Sequence, residues 1–371
     1  MTTDLPTQHR ALVLETVADG FRLKNVPTPR PGPGSAIVRI EAAGVLSYHR
    51  EIYNGERGYA FPTPLVGGCS AIGRVAAAGP DATALRPGQL VYVDCVIRAR
   101  DDPDAHFLSA IHEGATAGAK KLSHDVWRDG AFAEYARVPL ENCVPLDEAR
   151  LCGGLGYSVP DLMYMSWLLV GYGGLRDIGL EPGETVVVCP ATGGFGGAGV
   201  QVAVAMGARA IAMGRDEAEL ARLRAHALAG SPGASVEVVK MTGDEMADAE
   251  ALRALGTVDA VLDFSPPQAS RSPHLRSAVR ALRRGGRVSL MGFSENPIIP
   301  WVVVDKNISF RGKLMYERED MVQFVKMLER GLFPRAGALV DTRAFPLQDW
   351  KAGLDAAAEH TGIGKSVIFT P

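Results

Sequence analysis

The stretch ETVVVCPATGGFGGAGVQVAVAMGA, residues 184–208, decides the fold. It opens on an apolar run of strand type, passes through a glycine-rich turn and continues as small residues suited to a helix packed close against a sheet. Inside it, Gly194-Phe195-Gly196-Gly197-Ala198-Gly199 has the spacing G-x-G-x-x-G between a strand and a helix. The first glycine of that spacing permits a tight turn, the second lets the backbone approach a pyrophosphate, and the third lets helix and strand pack closely. Free N–H groups and the dipole at the helix start favour an anion. The predicted phosphate cradle of a dinucleotide is therefore Thr192, Gly193, Gly194, Phe195, Gly196, Gly197 and Gly199.

In such a unit the end of the second strand, about 20 residues further on, selects between NAD and NADP. The chain reads Ala212-Met213-Gly214-Arg215-Asp216 there. Gly214 lacks the carboxylate that would bind the ribose hydroxyls of NAD, and Arg215 offers a planar, fixed positive charge to a 2′-phosphate. NADPH is the expected cofactor. Asp216 would be the selecting acid only if the strand ran two residues longer.

Outward from this unit, the texture from residue 158 is an alternation of helices and strands. Residues 197–206 and 217–226 read as helices and 208–213 as a strand; 258–264 and 286–291 read as two more apolar strands, joined by a helix over 272–284. Strands alternating with helices of this length specify a doubly wound parallel sheet. Phe264, Met291, Gly292 and Phe293, where the later strands end, complete the predicted cofactor-binding set.

Before residue 158 the pattern is different. Short β-like runs at residues 10–15, 35–42, 71–77, 90–96 and 133–138 are separated by Pro- and Gly-rich stops such as Gly79-Pro80-Asp81 and Arg86-Pro87-Gly88. This predicts an irregular, barrel-like β domain, with residues 99–129 as a long excursion of lobe or lid type. Two helices, 321–330 and 348–360, and a closing strand, 366–370, end the chain.

With 371 residues the chain suits two domains. Hydrophobic residues at 47% and charged residues at 22% exclude a mainly disordered chain. A net charge of −3 without a long Lys/Arg block argues against a nucleic-acid partner. The start MTTDLPTQHR has no apolar stretch behind a basic one, and no apolar run approaches a membrane span, so a cytoplasmic protein is expected. The five cysteines, at 69, 95, 143, 152 and 189, form no C-x-x-C pair and read as reduced, buried residues.

Several stretches carry a family resemblance: Ile40-Glu41-Ala42-Ala43-Gly44-Val45, Gly67-Gly68-Cys69-Ser70-Ala71-Ile72-Gly73-Arg74-Val75, Pro182-Gly183-Glu184-Thr185-Val186 and Gly364-Lys365-Ser366-Val367-Ile368. With the cofactor unit at mid-chain, nearly the whole sequence resembles the medium-chain dehydrogenase/reductase family. The resemblance implies an α/β protein in which a GroES-like β-barrel-type catalytic domain, residues 1–164 and 317–371, accompanies a Rossmann doubly wound parallel sheet, residues 165–316. Many members bind a catalytic zinc. Here the matching positions hold Leu46, Cys69 followed by Ser70, and either Met165 or Ser166, and the four cysteines of a structural zinc lobe are absent. One thiolate cannot replace three ligands. The resemblance is therefore to the zinc-independent, quinone-oxidoreductase-like members, and no metal is expected.

In zinc-free relatives hydride passes from nicotinamide to an electron-poor carbon, and the protein orients substrate and supplies a proton. Tyr48, two residues after Leu46, is the first candidate for that acid, since a phenol there could hydrogen-bond a carbonyl oxygen as charge develops. His49 is a candidate relay. Tyr53 and Tyr59, in Tyr53-Asn54-Gly55-Glu56-Arg57-Gly58-Tyr59, fall near a catalytic tyrosine of the family's enoyl reductases. Residues 156–167, rich in Met and aromatics, are either core or the lining of a pocket for a small apolar or aromatic substrate.

The leading expectation is thus an NADPH-dependent, zinc-independent reductase of an activated double bond, a quinone or a related conjugated intermediate. The alternatives are direct ketone or aldehyde reduction without zinc, and a non-catalytic NADPH-binding sensor or scaffold. Family members commonly form homodimers through the cofactor-domain sheet, and residues 298–304, IIPWVVV, are either such an edge or a buried strand.

Overall fold

The computed structural model describes residues 5–295 and 297–371, so the first four residues of the amino-terminal stretch lie outside the described residues. The chain divides into two compact units. One runs up to Ser166 and adds Asp341–Thr361 and Ser366–Pro371; the other is Trp167–Val340 with Gly362–Lys365.

The first unit contains strands β1 (Gln8–Leu14), β2 (Phe21–Pro27), β3 (Ser35–Val45), β4 (Leu65–Val66), β5 (Ala71–Ala78), β6 (Leu90–Val93), β7 (Val96–Arg98), β8 (His106–Leu108), β9 (Tyr135–Pro139) and β10 (Cys143–Pro145). Its helices here are α1 (His49–Tyr53), α2 (Ala117–Asp125) and α3 (Val159–Leu162). β3 is the spine, buried along most of its length and paired antiparallel with both β5 and β9. The run expected at 90–96 breaks into β6 and β7, because the Asp94 carboxylate accepts the Val96 N–H at 3.1 Å and bends the chain between them. The predicted excursion has a small core of its own: Ile97, Ala105, Phe107 and Ala119, backed by Leu122 and Trp127.

A Ser158/Asp161 capping box starts α3, and α4 (Met165–Asp177) follows. Tyr157, Leu162, Met163, Tyr164 and Met165 are each no more than 2% exposed. Most of this Met- and aromatic-rich segment is therefore buried core.

In the second unit β11 (Thr185–Cys189), β12 (Arg209–Gly214), β13 (Val236–Lys240), β14 (Val258–Asp263), β15 (Leu282–Leu290) and β16 (Ser309–Gly312) form one parallel sheet in the order β13-β12-β11-β14-β15-β16. The helices are α5 (Gly194–Ala205), α6 (Glu217–Gly230), α7 (Glu245–Ala254), α8 (His274–Ala281), α9 (Pro300–Lys306) and α10 (Arg318–Glu329). The strand order reverses between β11 and β14, and in such sheets the crevice beyond the carboxyl ends at that point takes the ligand. Residues 298–304 are neither a strand nor an edge. Pro300 occupies the first turn of α9, where its missing N–H costs nothing, and Trp301 and Val304 are 67% and 76% exposed. The segment 317–340, expected with the first unit, packs in the second: Phe324 meets Tyr172 at 5.5 Å and Asp320 pairs with Arg176 at 3.2 Å.

The chain returns to the first unit as β17 (Asp341–Pro346), α11 (Trp350–Glu359) and β18 (Lys365–Thr370), with β18 inserted between β3 and β17. Midway, Gly362–Lys365 belongs to the second unit. No helix among the described residues is long and apolar enough to cross a membrane.

Candidate active site

The glycine turn of the second unit is built as a helix start. α5 begins at Gly194, three residues earlier than the sequence predicts, with Gly193 as its N-cap. The roles of the motif glycines shift accordingly. A Cβ on Gly196 would overlap the Pro190 carbonyl oxygen, and one on Gly199 would lie 3.0 Å from the Phe264 ring and 3.1 Å from Leu262. Both glycines therefore seat α5 on the ends of β11 and β14, while a Cβ on Gly193 would meet nothing within 4 Å. The first-turn N–H groups, which have no partner inside a helix, are available to an anion at that open end.

The other predicted cofactor residues lie along the same strand ends. Phe264 N–H donates to Cys189 O at 2.9 Å, Met291 N–H to Asp263 O at 3.1 Å and Phe293 N–H to Ser265 O at 2.7 Å. Gly292 approaches the Ser265 backbone too closely for a Cβ. The Phe195 ring stacks on Phe264 at 6.1 Å.

Gly214 is the last residue of β12. A Cβ on it would meet the Thr192 methyl at 2.8 Å, so an acidic side chain has no room there. Asp216 is the N-cap of α6, its Oδ1 accepting from Ala218 N at 2.8 Å and Glu219 N at 3.0 Å, which commits it to the helix. Arg215 is exposed, and among the described residues its guanidinium has no hydrogen-bond or ion-pair partner.

In the first unit the loop after β3 turns at Leu46 into α1. Leu46 N–H donates to His49 Nδ1 at 3.2 Å, which leaves the proton of the neutral ring on Nε2, 3.8 Å from Cys69 Sγ. Both are buried, His49 completely. Burial pushes the imidazole down to about 3 and the thiol up to about 11, so the pair is a neutral ring and a thiol. His49 was expected to relay protons; instead it lies among the Tyr53 and Phe132 rings, 5.4 and 5.6 Å away, with both nitrogens turned to the protein.

Tyr53 is also structural. Its hydroxyl donates to Ala110 O at 3.0 Å and accepts from Gly68 N–H at 2.8 Å. Tyr48 differs from both. It is half-buried, with the Arg57 guanidinium 4.2 Å above its ring centre, and burial, opposed by Arg57, keeps its phenol protonated well above the usual tyrosine range. Arg57, held by Glu51 at 2.9 Å, escaped the sequence reading, although it stands inside the very stretch quoted for its tyrosines.

The positions matched to zinc ligands do not fit a catalytic zinc. Leu46 offers only carbon, Cys69 is a thiol facing an imidazole N–H, Met165 is 2% exposed, and the Ser166 hydroxyl donates to Met163 O at 3.0 Å. All five cysteines are free, and all but Cys152 are buried.

His49 gives the first unit a pH-dependent stability. A histidine with a folded-state pKa below its unfolded value of about 6.5 holds fewer protons when folded. Its contribution is complete above pH 6.5 and is lost as pH falls toward about 3. Relative to neutral pH, the wild type at pH 5 should lose about 2 kcal/mol that His49→Asn, which retains an acceptor for Leu46 N–H, does not lose. Urea unfolding at the two pH values measures this, and equal losses in the two proteins would refute it.

Comparison with known proteins agrees with this architecture. Residues 32–148 match the family model described as alcohol dehydrogenase GroES-like domain, and residues 194–330 match that of zinc-binding dehydrogenase. Alcohol dehydrogenase 1 of Emericella nidulans is 28% identical over 359 residues, covering 88% of this chain and 89% of that protein. Among solved structures, an alcohol dehydrogenase of E. coli complexed with NADH superposes with a TM-score of 0.78 at 19% identity, over 99% of this chain and all of that one. A crotonyl-CoA carboxylase/reductase in complex with NADP gives 0.75 at 18% identity, over 100% and 96% of the two chains.

Proposed function

This chain belongs to the medium-chain dehydrogenase/reductase family of oxidoreductases, and we propose that it is an NADPH-dependent reductase that works without a metal, delivering hydride to an activated carbon–carbon double bond or a quinone. The observation that carries this reading is the occupancy of the zinc-ligand positions by Leu46, a Cys69 thiol turned to His49, and Met165 or a self-bonded Ser166. Without a Lewis acid, reduction of an isolated carbonyl would leave an alkoxide poorly stabilised. Hydride addition to the β-carbon of an enone instead spreads the charge as an enolate, for which one neutral donor suffices. Tyr48 is that donor, holding its proton against the substrate carbonyl oxygen, and the α-carbon takes its proton from solvent.

The cofactor half of the reading is supported by Gly214, Arg215 and the commitment of Asp216 to a helix cap, and by dinucleotides bound in two proteins of the same fold. A homodimer along the β16 edge belongs to the same proposal, supported by the exposed Trp301 and Val304 just before that strand. Metal analysis combined with turnover of 4-deuterated NADPH tests the whole. Deuterium on the carbon β to a carbonyl, in protein lacking stoichiometric zinc, is the expected result. Deuterium on a carbinol carbon would replace it with direct carbonyl reduction, and stoichiometric zinc would overturn it.

A further inference from the structure

Behind the cofactor strand ends lies a polar cluster that neither the glycine motif nor Tyr48 uses. β14 ends at Asp263, in the middle of the sheet, with its carboxylate wholly buried. Oδ1 accepts from Ser265 N–H at 3.2 Å and from Ser265 Oγ at 2.5 Å, while Oδ2 has no hydrogen-bond partner among the described residues. Ser265 Oγ lies 2.8 Å from His274 Nε2, and His274 Nδ1 lies 2.8 Å from Ser272 Oγ. Ser265 and His274 are each 1% exposed. Cys189 completes a set of three side chains whose donor atoms lie within 4.8 Å of one another. A metal there would have to break the imidazole bonds, since both ring nitrogens are engaged, and burial holds the Cys189 thiol well above its ordinary range. The cluster is a hydrogen-bond relay.

Such a relay is costly, because a buried carboxylate with an orphaned oxygen forfeits hydration it does not recover. What it secures is the turn at Ser265. The backbone there binds Phe293 through its C=O, crowds Gly292, and follows directly on Phe264, whose N–H reaches the end of β11. Three members of the cofactor set, Phe264, Gly292 and Phe293, thus depend on one residue whose hydroxyl is held from behind on two sides, and the fourth, Met291, bonds to Asp263 O itself.

We propose that Asp263, Ser265 and His274 are positioning residues for the dinucleotide: they fix the turn that carries Phe264 and orders Met291, Gly292 and Phe293, and so set cofactor affinity without touching the cofactor. The inference rests on the dinucleotide reading above. Titration of the intact protein with NADPH and with NADH, followed by tryptophan fluorescence, tests it alongside thermal melts of the dinucleotide-free proteins. His274→Ala and Ser265→Ala should each raise the dinucleotide Kd about 10-fold or more. His274→Gln, which restores a polar group near Nε2, should recover to within about 3-fold of wild type, and kcat at saturating dinucleotide should stay within about 2-fold. If His274→Ala does not fold, Ser265→Ala, which removes a single oxygen, decides. Wild-type affinity in the variants, or weaker binding that only tracks the unfolded fraction, overturns the inference. A wild type that binds neither dinucleotide removes the functional reading, and this inference with it.

Discussion

Tyr48→Phe is expected to lower kcat by about 10²- to 10³-fold while leaving the dinucleotide Kd within about 2-fold of wild type. The substitution removes one oxygen and keeps the ring beneath the Arg57 guanidinium, so the packing at the start of α1 survives. On the proposed mechanism, what is lost is a donor that burial keeps protonated and that binds an oxygen more strongly as that oxygen becomes negative. Such a donor acts on kcat more than on ground-state binding. Tyr53→Phe is the control. Its hydroxyl bridges Gly68 N–H and Ala110 O, so its removal should cost about 1–3 kcal/mol of stability and little of kcat. Steady-state kinetics and urea melts on both variants separate the two roles, and a Tyr48→Phe enzyme with wild-type kcat would remove Tyr48 from the mechanism.

Arg215→Ala should weaken NADPH binding by about 10- to 100-fold and leave NADH binding nearly unchanged, since the loss is that of charge-assisted hydrogen bonds to one phosphate. The exposure of Arg215 makes the effect salt-dependent, larger in dilute buffer than near 1 M. Neighbouring groups offer no substitute: Gly214 has no side chain, and Asp216 carries the wrong charge and caps α6. Equal losses for both dinucleotides would place the 2′-phosphate elsewhere.

The βαβ unit was legible because its information is local. An apolar strand, a glycine turn and a small-residue helix follow one another within 25 residues, and the place twenty residues on needed only counting. β13 went unread because an edge strand such as VEVVK, with two charged residues in five, gives little alternation. Residues 298–304 misled through their β-branched run, which Pro300 at the helix start and the exposure of Trp301 overrode. In the site, sequence position placed Tyr48, His49 and Tyr53 close together, yet the structural parts that His49 and Tyr53 play depend on contacts with Cys69, Gly68 and Ala110, brought in from elsewhere in the fold. The Asp263–Ser265–His274 relay shows the same limit. Nothing in DFSPPQASRSPH separates a buried network from an exposed polar loop.

The passage of Gly362–Lys365 through the second unit, between two segments of the first, bears on the order in which the protein is made. Ile363 packs beneath Gly197, where a Cβ would come within 2.6 Å of its Cα, and within a few residues β18 fills the gap between β3 and β17. Neither unit has all its parts until residues 362–370 have left the ribosome. The sheet of the first unit therefore stays open along β3, and the packing beside α5 in the second unit stays incomplete, until the same stretch of chain arrives.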